Sequence, residues 1–89
     1  MKIYTVIHSK SGRFGGEPRT YTMTGTLPEL VKAYSYTLEV GASWSHEKGN
    51  SKINRNPKSI KSLCSMLEKA EDNAARDGYS GSSYSFKED

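Results

Sequence analysis

The chain opens on a stretch, Lys2-Ile-Tyr-Thr-Val-Ile-His8, in which β-branched and aromatic residues fill nearly every position. Either alternate set, Ile3, Thr5 and Ile7 or Tyr4, Val6 and His8, can face a core, which predicts a first strand over residues 2–8. Ser9 to Pro18 holds three glycines and a proline and reads as a long hairpin loop. Arg19 to Thr24 then alternates, with Tyr21 and Met23 on one face and Thr20, Thr22 and Thr24 on the other, so a second strand pairs back on the first.

The period changes after Thr26. Threonine accepts from free helix amides, Pro28 is tolerated in a first turn, and Glu29 completes a capping box. Leu27, Leu30, Val31, Tyr34 and Leu38 recur at three and four residues, and Gly41 is placed to end the helix, which predicts a helix over 27–40. In residues 42–54, Trp44 and His46 alternate with serines and Lys48-Gly49-Asn50 forms a turn signal, which predicts a short second hairpin. Asn56 before Pro57 reads as a cap, and Ile60, Leu63, Cys64, Leu67, Ala70 and Ala74 form one stripe ending at Asp77-Gly78, a second helix over 57–77. Tyr79, Tyr84 and Phe86 among serines predict a last edge strand over 83–87.

The expected fold is therefore α+β in the order ββα(ββ)αβ. Two helices pack on one face of a mainly antiparallel sheet of four to five short strands, in two layers.

Composition narrows the class. Eighty-nine residues with 34% hydrophobic content support one domain over 1–89. Mean hydropathy is −0.76, and no apolar run approaches the ~18 residues of a membrane span. Met1 to Thr5 lacks the apolar core of a secretory signal, so a cytoplasmic protein is expected. The lone cysteine, Cys64, forms no internal disulfide.

Charge is unevenly spread around a net +3. Residues 1–62 carry ten Lys/Arg against four Glu, whereas residues 63–89 carry three cations against six acids. Lys48, Lys52, Arg55, Lys58 and Lys61 form a run with no intervening acid, among Gly, Asn and Ser that keep it solvated.

The chemistry-bearing residues are few. His8, His46 and Cys64 do not make the three or four ligands of a zinc site at suitable spacing, so no metal is expected. Cys64 lies on the apolar helix stripe and reads as core. There is no Gly-x-Ser-x-Gly, and nothing draws Glu39 and Glu47 together as paired carboxylates. Gly12-Arg-Phe-Gly-Gly16 lacks the Lys-Ser/Thr and following helix of a phosphate loop. It reads either as a finger presenting Arg13 and Phe14 to a partner or as a loop with Phe14 folded on the core. An enzyme and a cofactor are thus not expected, and the chain reads as a binding protein.

The expected contact surface is Trp44, Lys48, Lys52, Arg55, Lys58 and Lys61, with Arg13 and Phe14 as a second contributor. An aromatic anchor beside a cation cluster suits a protein or protein–nucleic acid complex, or nucleic acid directly through the basic 48–61 patch. No membrane contact is implied.

The run Gly49–Lys52 to Lys58–Lys61, entering a C-terminal helix, resembles the end of double-stranded-RNA-binding domains. Their αβββα order and Lys-Lys-x-x-Ala-Lys signature are absent here. The pattern Tyr36-Thr-Leu-Glu39-x-Gly41, Glu47-Lys-Gly-Asn50, Lys52-Ile-Asn54, Asn56-Pro-Lys-Ser-Ile60 and Gly78-Tyr-Ser80 resembles small accessory proteins of tailed bacteriophages, made early to disarm the host. That resemblance implies a stoichiometric inhibitor of a host enzyme or defence complex.

Overall fold

The computed structural model describes residues 1–10, 19–74 and 82–89. Three strands, β1 (Tyr4–Lys10), β2 (Arg19–Gly25) and β3 (Ser82–Glu88), form one antiparallel sheet in the order β2-β1-β3. Val6 sits between Met23 of β2 and Phe86 of β3, and His8 between Tyr21 and Tyr84. One face thus carries Tyr4, Val6, His8 and Tyr84, which meet the helices, and the other carries Thr5, Ile7 and the threonines of β2. On that second face Thr5 Oγ1 lies 2.9 Å from Thr24 Oγ1 and donates to Asp89 Oδ2 at 3.0 Å, which satisfies a buried hydroxyl. The antiparallel pairing of the first two strands and the last strand follow the alternation in the sequence, but β1 runs on to Lys10 where a loop was expected from Ser9. The rest of that loop, and the expected helix end at Asp77-Gly78, lie outside the described residues. The expected four to five strands are not found: among the described residues there are three.

The stretch expected to be one helix over 27–40 is two, α1 (Leu27–Ala33) and α2 (Ser35–Ser43). The capping box forms as the sequence implies: Glu29 N–H donates to Thr26 Oγ1, and Thr26 N–H donates to Glu29 Oε1 at 3.0 Å. Tyr34, at φ −98° and ψ 11°, interrupts the helix, and its N–H reaches the carbonyls of both Leu30 and Lys32. Gly41 does not end a helix. It lies inside α2, buried against Ala70 of α3 (Ile60–Ala74), where α2 and α3 cross at backbone contact. Among the described residues the order is ββαααβ rather than ββα(ββ)αβ.

α3 begins later than the Asn56-Pro57 signal implies. Ser59 caps it, its Oγ accepting from Ser62 N–H at 3.1 Å and its carbonyl from Leu63 N–H at 2.9 Å. Asn56 belongs instead to a turn in which its N–H donates to Asn54 Oδ1 at 2.9 Å. The expected 42–54 hairpin is absent, and residues 44–59 run as turns and irregular chain. Asparagines hold that path. Asn50 Nδ2 donates to the Trp44 carbonyl, and buried Asn73 accepts from Ser51 N–H while donating to the carbonyls of Gly41 and Ser51. Side-chain bonds of this kind replace ladder pairing, and Ile53 and Pro57 pin the segment by burial.

The core is Val6, Leu30, Leu38, Leu63 and Leu67, with Ile53, Ile60, Cys64, Ala70 and Tyr84 around it. No helix among the described residues is long and apolar enough to cross a membrane.

Candidate functional site

α1 and the irregular 52–58 segment lie side by side and leave a groove of about 470 Å³ between them. Leu27, Pro28 and Val31 of α1 face Pro57 across it, which makes its floor apolar. Three cations stand on its walls, Lys32 from α1 and Arg55 and Lys58 from the loop, all exposed. Arg55 Nε donates to Glu39 Oε2 at 2.8 Å, so α2 holds this guanidinium in place while its other donors stay available. Both partners are more than half exposed, and such a pair contributes only about 0–1 kcal/mol to folding. Its consequence is orientation.

The same loop borders a second groove, of about 520 Å³, with Lys52, Ile53, Asn54 and Arg55 facing Met66 of α3. Asn54 N–H points at Met66 Sδ, 3.4 Å away. Arg55 is common to both grooves, and Lys52, Arg55 and Lys58 thus make one continuous cationic ridge.

The expected contact surface is therefore divided. Lys52, Arg55 and Lys58 come together. Lys61 stands instead beside Cys64, Glu68, Tyr84 and Phe86, in a cleft between α3 and β3. Lys48 is exposed on the turn after α2. Trp44 caps the end of α2, half-buried, with its ring stacked near His46 at 6.5 Å between centroids. It lines neither groove. Arg13 and Phe14 lie outside the described residues.

The groove residues missed by sequence reasoning are those of α1. Pro28 and Lys32, with Ser35 at the start of α2, line it beside Leu27 and Val31, and their spacing of four and three was a visible second stripe beside the core stripe.

A polar cluster also joins the sheet to α3. The His8 ring stacks on Tyr84, 4.1 Å between centroids and 8° from parallel, and Tyr34 meets Tyr84 edge-on. Tyr84 Oη donates to Glu71 Oε1 at 3.1 Å, and its backbone N–H donates to Glu68 Oε2 at 2.9 Å. Burial lowers the His8 pKa, opposed by the Glu71 carboxylate, and His8 Nε2 has no hydrogen-bond partner among the described residues. Burial raises the Tyr84 phenol, and the adjacent Glu71 raises it further. Burial likewise pushes the Cys64 thiol up to about 11, as expected of a core cysteine. These groups are held in their neutral forms, and the cluster fastens β3 to α3.

Compared with family models, curated proteins and solved structures, the chain matches none.

Proposed function

We propose that this protein is a non-catalytic binding domain that acts by stoichiometric occupation of another protein. The groove between α1 and residues 55–58 takes an acidic, partly apolar segment of that partner. The observation that carries this reading is the composition of the groove: an apolar floor flanked by Lys32, Arg55 and Lys58, with Glu39 the one carboxylate bonded to them among the described residues. An apolar side chain would seat against Leu27, Val31 and Pro57 while flanking carboxylates meet the cations, so burial supplies affinity and charge supplies selection. The resemblance to early phage accessory proteins gives the direction: the partner is a host enzyme or defence complex, and binding inhibits it in the host cytoplasm.

The alternative is direct binding of nucleic acid along the Lys52–Arg55–Lys58 ridge. Fluorescence titrations separate the two. The probes are a labelled peptide with leucine flanked by Asp and Glu, the same peptide with the acids replaced by Gln and Asn, and duplex DNA and RNA at two salt concentrations. The proposal expects the acidic peptide to bind, and both its neutral counterpart and the Lys32→Glu/Lys58→Glu variant to lose at least about tenfold in affinity, the size of a few charge-assisted contacts. Tight duplex binding that falls steeply with salt, with no peptide preference, establishes the alternative instead.

A further inference from the structure

We propose that β2 is a self-association edge: two copies of this chain pair antiparallel through their β2 strands, about a two-fold axis at Thr22. The inference rests on the sheet and is independent of the groove.

β2 lies at the end of the order β2-β1-β3, so among the described residues no strand pairs with its outer side. Its pairing with β1 runs without a bulge through seven consecutive residues, Arg19 to Gly25. It contains no proline and a single charge, Arg19, at one end. Edge strands usually carry charges, prolines or bulges that block addition of another strand. The opposite edge does so, with Lys87 and Glu88 on β3. β2 carries none of these over Thr20–Gly25.

Its side chains show which occupant fits. Tyr21 and Met23 are 51% and 42% exposed, large apolar residues at the rim of the helix layer. They are two residues apart and therefore share one face. A two-fold axis perpendicular to the sheet pairs only residues that share a face. Centred on Thr22, it sets Tyr21 of one copy opposite Met23 of the other, twice over. Thr20 then faces Thr24, Thr22 faces itself and Arg19 faces Gly25. All seven residues pair, no like charges meet, and each exposed apolar side chain gains an apolar neighbour. Centring on Tyr21 or Met23 shortens the ladder and leaves one of the two opposite itself and the other without an apolar neighbour. The strand is complementary to its own copy in this register, and the product is one six-stranded sheet, β3-β1-β2-β2-β1-β3.

Sedimentation of the full chain over a wide concentration range, with disulfide trapping, tests this. The mass is expected to rise from 9.9 kDa towards twice that value with concentration. Thr22→Cys, placed on the axis, is expected to give a covalent dimer on mild oxidation, and Thr20→Cys, which faces Thr24, is expected to give at least about tenfold less. Tyr21→Lys/Met23→Lys is expected to be monomeric. Tyr21→Lys/Met23→Glu is expected to regain the dimer, because only the Thr22-centred register sets each lysine opposite a glutamate. All these positions are exposed, and circular dichroism checks that each variant stays folded. A wild-type mass that stays monomeric up to millimolar concentration overturns the proposal, as does equal trapping at positions 20 and 22.

Discussion

Gly41 of α2 and Ala70 of α3 meet without room for a further carbon: a Cβ built on Gly41 would overlap both Cα and Cβ of Ala70. The contact sets how closely the two helices approach, and it explains why a glycine occupies the last turn of α2 despite its poor propensity. Gly41→Ala gains about 1 kcal/mol of helix propensity. It also forces methyl against backbone, at the upper end of the roughly 1–3 kcal/mol that overpacking costs, or beyond it. The clash wins. Thermal denaturation should show a Tm lower by several degrees, about 4–8 °C per kcal/mol of net loss. Adding Ala70→Gly should recover only part of this, because the Ala70 Cα remains in the way.

Asn73 is the second fixed point of that region. Its carboxamide ties Ser51 N–H and the carbonyls of Gly41 and Ser51 together at 2.7 to 3.0 Å, at a buried site. Asn73→Ala leaves these groups without their partner and should cost about 2–4 kcal/mol in urea denaturation. Asn73→Asp keeps the acceptor but loses both donors and buries a charge beside two carbonyls, so it should be no milder. Faster amide exchange at Ser51 in Asn73→Ala would place the effect in the 44–59 segment.

Elements that declare themselves by a local period were legible in the sequence: the pairing of β1 with β2, β3 and the apolar stripe of α3. The break at Tyr34 was not, because Leu30, Tyr34 and Leu38 keep the same spacing on both sides of it. Residues 42–54 misled in a different way. Serines alternating with Trp44 and His46 imitate a strand, while the bonds that decide the path come from Asn50, Asn54 and a distant Asn73. The groove suffered the same limitation. Its loop cations were visible as a run, but only the fold brings them against the Pro28–Lys32 stripe of α1, and it sends Lys61 to another cleft.

The His8–Tyr84 stack makes stability depend on pH. Burial lowers the folded-state pKa of His8 below its usual 6.5, the Glu71 carboxylate opposing this and Lys10 adding to it. Below about 6.5 the unfolded chain takes up a proton that the folded chain resists, so stability is full above that pH and falls as pH drops towards the folded pKa. Denaturant midpoints should decline from pH 7 to 5, before carboxylates are protonated. His8→Phe, which keeps a ring on Tyr84, should flatten that decline. An unchanged slope would mean that other groups set it.

The last prediction concerns Cys64. Its side chain is 5% exposed on the inner face of α3, and burial pushes its thiol up to about 11, with the Glu68 carboxylate adding to the effect. From an ordinary value near 9, a rise of this size cuts the thiolate fraction at pH 8 about a hundredfold, since each unit is a factor of ten. Only the thiolate attacks a disulfide reagent, and burial also blocks the approach. Labelling by an aromatic disulfide at pH 8 should therefore be at least about a hundredfold slower in the native protein than in urea, and the native rate should follow the opening of the α3–β3 layer. Tyr84→Ala, which opens the cleft beside Cys64, should speed labelling well before the chain unfolds globally. A native rate within tenfold of the unfolded one would show that Cys64 is accessible and that β3 does not close over it.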